Sequence, residues 1–169
     1  MHRSAERDEW GAPAGKGPDV EFRILGPVRL HAAGRSTAVG EPRQQVVLAA
    51  LLLEPGHTVG IDTLVDRVWG DFPPLQARRS LQAHIARIRR ALESAEPGGA
   101  PLTRDAGGYR LDIEPEQVDL FRFRRAVREG AHRAGLDLWH GEPLAGLRGD
   151  WVERTRRALR QEHAAAVVA

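Results

Sequence analysis

Residues 75–92 read LQARRSLQAHIARIRRAL, and the reading of the fold starts from this stretch. Leu81, Ile85, Ile88 and Leu92 recur at the i, i+4, i+7, i+11 spacing of one helical face, an apolar stripe that needs a core to cover it. At about 100° per residue the opposite face carries Arg79, Ala83, Ala86 and Arg90, with Arg87 beside it. Arg78, Gln82 and Arg89 fall on one shoulder, Ser80 and His84 on the other. No Asp or Glu occurs between Asp71 and Glu93. Such a helix suits a negatively charged groove, because small alanines let its backbone sit near base edges while Arg and Gln reach outward. The competing reading is a solvated surface helix. Of the 25 basic residues only Lys16 is a lysine, so an arginine-rich bias inflates every Arg cluster here.

Upstream, Val20 to Leu25 alternates with period two, as a half-buried strand does. Val28 to His31 and Arg35 to Val39 read as two further strands around an Ala-Gly turn, so the first 40 residues predict a small antiparallel sheet. Glu41-Pro42 opens a helix over Arg43 to Leu53 that is apolar nearly all round from Val46 and is expected to be buried. Glu54-Pro55-Gly56 stops it, and His57 to Val59 is a short extended piece. Ile61 to Trp69 is a second helix, with Leu64, Val65, Val68 and Trp69 facing inward and Asp62 in its first turn. Gly70-Asp71-Phe72-Pro73-Pro74 forces a turn before the arginine helix.

Downstream, Leu102 to Arg104, the turn Asp105 to Gly108, and Tyr109 to Ile113 predict a hairpin. Three strands, three helices and a hairpin, with the arginines on the third helix, describe a helix-turn-helix with a wing. The expected fold class is therefore α+β: a winged helix-turn-helix with an N-terminal antiparallel sheet and a C-terminal hairpin wing, followed by a short all-α segment. The expected divisions are a disordered tail over 1–18, in which Trp10 is exposed, a DNA-binding domain over 19–115, and a helical segment over 118–169.

The segments PRQQVVLAALLL, IDTLVDRVWG, SLQAHIARIRRAL and GGYRLDI resemble the OmpR/PhoB-type winged-helix domain, in the version found in the Streptomyces antibiotic regulatory protein (SARP) family. Val118 to Phe123 is similar to the start of the bacterial transcriptional activation domain, and Leu138 to Leu144 resembles a hallmark segment of it. The resemblance covers roughly Val20 to the C-terminus. It implies a cytoplasmic activator of a secondary-metabolite gene cluster, binding direct repeats in double-stranded DNA with a second protomer and contacting RNA polymerase. Carried over by position, it sets Arg79, Ser80, Gln82, Ala83, His84, Arg87 and Arg90 toward DNA. Their location on the helix assigns base edges to Arg79, Gln82 and Ala83, near the end that enters the groove. Arg78, Ser80, His84, Arg87, Arg89 and Arg90 are assigned to the backbone. Arg104, Gly107, Gly108, Tyr109 and Arg110 make up the wing, and Asp71, Phe72, Pro73 and Pro74 the polymerase-facing turn. Ala86 departs from an arginine common in the wider winged-helix group, and Asp105 replaces a basic residue expected before the wing glycines, with Arg104 as its substitute. For His84 a partly buried histidine, and for Tyr109 ordinary wing packing, stand as alternatives.

The tail departs from the resemblance. One helix is expected from Leu120 to about Arg133 and another from Trp151 to Val168, and the activation domain looks shortened. A single helical pair has little interior of its own, so residues 120–169 are expected to pack on the winged helix or on a second chain.

Composition narrows the remaining classes. With 41% apolar and 28% charged residues and a net charge of +2, any basic surface must come from local segregation of charge. There are no cysteines, the N-terminus lacks the apolar core of a secretory signal, and the longest apolar run, Val46 to Leu53, is too short for a membrane span. The seven histidines form no metal-ligand spacing, and no nucleophile elbow or phosphate-binding loop occurs, so no enzyme activity, metal or cofactor is expected. A second functional reading remains: an interaction module that engages a partner or a full-length relative and binds DNA weakly.

Overall fold

The structure is a computed structural model, and it describes residues 20–169. The tail over 1–18, with Trp10, lies outside the described residues. Strands β1 (Val20–Arg23), β2 (Arg29–Ala32) and β3 (Arg35–Thr37) form an antiparallel sheet in that order. The turn between β2 and β3 is Ala33-Gly34, with φ of 51° and 74°, the doubly positive conformation of tight hairpins. Helix α1 (Pro42–Leu52) follows, and every residue from Val46 to Leu52 is buried, as its unbroken apolar run predicts. Its first turn is fastened by Gln44, whose side-chain oxygen accepts the Glu41 N–H at 2.7 Å.

Strand β4 (Val59–Gly60), helix α2 (Ile61–Trp69) and helix α3 (Ala77–Ala95) come next, then the hairpin of β5 (Leu102–Asp105) and β6 (Gly108–Leu111). The second sheet has the order β4-β6-β5, so the short extended piece before α2 is a third strand of the wing. Gly108 is required by this pairing: a Cβ there would lie 2.1 Å from the Val59 carbonyl oxygen. Of the residues expected to face inward on α2, Leu64 is fully buried, while Val65, Val68 and Trp69 are partly buried against the core. Helix α3 starts two residues later than predicted. Leu75 lies in the preceding turn, fully exposed.

After a 3-10 turn at Pro115–Gln117, the C-terminal segment folds as α4 (Asp119–Arg128), α5 (His132–Leu136) and α6 (Asp150–Val167). The single helix expected from Leu120 to about Arg133 is thus two helices. Gly130, at φ 77°, breaks it, and the Ala131 N–H bonds back to the Ala126 carbonyl.

This segment has no separate interior. Its buried Val118, Leu120, Phe123, Leu144, Val152 and Leu159 belong to one apolar cluster with β1, α1 and α3. Asp119, almost fully buried, accepts the backbone N–H groups of Ile24 (2.9 Å) and Leu25 (3.1 Å), clamping α4 onto the end of β1. The Phe22–Val118 bridge runs alongside. The His140 N–H donates to the Leu25 carbonyl, and the Trp139 ring lies against Phe123 (5.3 Å between centroids) and His163 (4.6 Å). Packing of residues 120–169 on the winged helix is what the small size of that segment predicts. Among the described residues no helix is long and apolar enough to cross a membrane.

Candidate nucleic-acid interface

Leu81, Ile85, Ile88 and Leu92 are all buried, which fixes the rotation of α3 about its axis. The opposite face is consequently turned to solvent: Arg79, Gln82, Ala83, Ala86, Arg87 and Arg90 are exposed, while Ser80 and His84 are half-buried. Arg79 reaches only the Gln76 side chain (3.4 Å) and Arg90 only the Ala86 carbonyl (3.4 Å). Arg79, Arg87 and Arg90 have no carboxylate partner among the described residues. Four carboxylates of the C-terminal segment are engaged elsewhere: Glu162 holds Arg124, Glu129 holds Arg125, and Glu142 and Glu153 hold Arg156.

The shoulder residues divide. Arg78 pairs with Asp62 at the start of α2 (2.8 Å), both side chains well exposed, and such a pair adds little stability. Arg89 donates through Nε to the Leu102 carbonyl (2.9 Å), so it ties α3 to the wing. On the other shoulder, the Nδ1 of His84 is enclosed without a partner, and its ring lies 6.2 Å from that of Trp69. Burial, then the nearby guanidiniums of Arg87 and Arg43, lower the proton affinity of His84 against the opposing effect of Glu41. The imidazole is therefore neutral at pH 7 and brings no charge to this face.

The wing neutralises itself. Arg110 is held between Asp105 and Asp112, at 2.6 Å from each, and these contacts raise its pKa. The Asp105 carboxyl is held below its ordinary value by the Thr58 hydroxyl (2.8 Å), then by the Ala106 N–H and by Arg110. The two arginines and two aspartates of the hairpin sum to no net charge. Arg104 lies over the Tyr109 ring (5.8 Å), and that ring is buried between the wing and the core, as the packing alternative for Tyr109 requires. Gly107 takes φ 79° at the hairpin tip, where a side chain would be strained. The turn of Asp71, Phe72, Pro73 and Pro74 is exposed throughout, and Phe72 retains 89% of its accessible surface. Sequence reasoning missed the Asp62–Arg78 pair and the Thr58–Asp105 bond. Each joins elements whose proximity only the tertiary fold creates.

This geometry is that of a known group of proteins. Residues 36–111 match the family described as "Transcriptional regulatory protein, C terminal". The chain carries an OmpR/PhoB-type regulatory domain of the SARP kind. The chain is 35% identical to the regulatory protein AfsR of Streptomyces coelicolor over 92% of its own length, and it spans 16% of that protein. It is 34% identical to the transcriptional regulatory protein MoaR1 of Mycobacterium tuberculosis, over 85% of this chain and 51% of that one. Among solved structures it superposes on Mycobacterium tuberculosis EmbR, solved in complex with a low-affinity phosphopeptide. The TM-score is 0.74 at 29% identity, covering 88% of this chain and 43% of EmbR. The likeness to EmbR, extending over so much of this chain, takes in the C-terminal helices of the SARP-type fold as well as its winged helix.

Proposed function

We propose that this chain is a sequence-specific DNA-binding transcription regulator, an activator of a secondary-metabolite gene cluster acting in the cytoplasm. In this reading α3 enters the major groove at direct repeats and the β5–β6 hairpin lies on the adjacent backbone or minor groove. A second protomer occupies the neighbouring repeat, and the exposed turn from Asp71 to Pro74 faces RNA polymerase. The observation that carries the reading is the outer face of α3, where the exposed Arg79, Arg87 and Arg90 have no carboxylate partner among the described residues. Arg79, Gln82 and Ala83, toward the helix N-terminus, read base edges. Arg87 and Arg90 supply phosphate contacts, with Arg78, Ser80, His84 and Arg89 on the shoulders.

Two substitutions separate these roles. Arg79→Ala is expected to cost about 1–3 kcal/mol and to blur preference at one base pair, whereas Arg90→Ala weakens all sequences alike and flattens the salt dependence. Titrations against a promoter fragment with spaced direct repeats and a random fragment of equal length measure both. The regulator reading expects the repeats to be bound at least about 10³-fold more tightly than random DNA at physiological salt. Equal, weak binding to both fragments would favour the protein-interaction module instead.

A further inference from the structure

The fold surrounds the outer face of α3 unevenly. On one side stands the wing, whose two arginines are matched by two aspartates. On the other, the side of His84, helix α1 packs against α3 and carries Arg43 in its first turn, exposed and without an ion pair among the described residues. The charges of Arg43 and Arg87, carried on two different helices, both act on the His84 imidazole at the edge of this face. Glu41 is the one acid acting on the same imidazole. Gln44, next along from Arg43, has its side chain directed back to the Glu41 N–H, so it does not cover the arginine.

From this arrangement we infer that Arg43 is a further DNA-backbone contact, gripping the phosphates on the flank of α3 away from the wing together with Arg87. The inference rests on the DNA-binding reading and adds a second element to it. The duplex is held from the α1 side by unpaired guanidiniums, while the self-neutralised hairpin adds little counterion release. Phosphate contacts of this kind report themselves in the salt dependence of binding, about 0.9 in the slope of log K against log salt for each phosphate neutralised.

The test is a set of salt titrations on the whole chain with repeat-containing and random duplexes. Arg43→Ala is expected to lower the magnitude of the slope by about 0.9, hence to weaken binding to both duplexes by about eightfold near 0.1 M salt. Arg43→Lys, which keeps the charge, should restore the slope. Thermal unfolding of Arg43→Ala should match the wild type, since the side chain is exposed. A wild-type slope retained in Arg43→Ala overturns the inference while leaving DNA binding intact. So does a slope in Arg43→Lys that falls as far as in Arg43→Ala. Absence of salt-dependent binding by the wild type overturns the parent reading with it.

Discussion

Asp119→Ala is expected to lose about 2–6 kcal/mol of stability, a large part of the total for a protein of this size. The carboxylate is almost completely buried and accepts the N–H groups of Ile24 and Leu25 as well as that of Leu120. Alanine leaves the two strand donors buried without partners, at about 1–3 kcal/mol each. It also releases the joint between β1 and α4, the point where the C-terminal helices meet the winged helix. Burial raises the Asp119 carboxyl above its ordinary value, against the pull of the backbone N–H bonds and of Arg122. A carboxyl raised in the folded state contributes stability fully below the unfolded value of about 3.9 and loses it as pH climbs through the folded value. Asp119→Asn keeps an acceptor oxygen and carries no charge. It should fall between alanine and wild type in stability and lack that pH dependence. Urea unfolding across this pH range checks both, and a midpoint for Asp119→Ala equal to wild type would refute the clamp.

Arg156→Ala should be comparably severe, at about 3 kcal/mol or more, since three buried carbonyls each lose a donor worth about 1–3 kcal/mol. The Arg156 side chain is 8% exposed and donates to the carbonyls of Pro143 (3.0 Å), Leu144 (2.7 Å) and Leu147 (3.0 Å), while pairing with Glu142 and Glu153. It binds the loop over 143–147 to α6, including Leu144, a buried leucine at φ 54°, a conformation costly for a side chain with a Cβ. Removing the guanidinium strands three carbonyls, while Glu142 keeps Arg160 and Glu153 turns to solvent. Arg156→Lys should recover little, because an ammonium on one stem cannot span carbonyls that the planar fork reaches together. The expected result is a lower urea midpoint in both variants. A midpoint for Arg156→Lys close to wild type would mean that charge alone holds the loop.

Neither clamp figures in the reading of the sequence, yet both left a signal in it. Asp119 sits between Val118 and Leu120, an acid within an apolar run. Arg156 falls on the same helical stripe as Val152 and Leu159, where a charge needs partners. The elements with strong local period were legible. The α2 bounds and the buried stripe of α3 follow from spacing alone, because burying one face of a helix demands that spacing. Strand β4 was not legible as a wing strand. Two residues have no period, and their pairing with β6 is made across a separation of 48 residues or more. The break at Gly130 was hidden because good helix formers surround it, and one glycine inside a helical pattern does not by itself end a helix. At the candidate interface the arginine face could be read from the helix, but the neutralised wing could not. Arg110 and Asp112 are visible as i, i+2 neighbours on one face of a strand. The second partner, Asp105, arrives only through the hairpin register that sets it opposite Gly108.

Dimethyl sulfate probing of a bound repeat-containing promoter tests the central claim most directly, because it methylates guanine N7 in the major groove and adenine N3 in the minor groove. Insertion of the α3 arginine face predicts protection of guanine N7 within each repeat, with one guanine regaining reactivity in Arg79→Ala. Unprotected guanine N7 across the repeats, with the protein demonstrably bound, would contradict it.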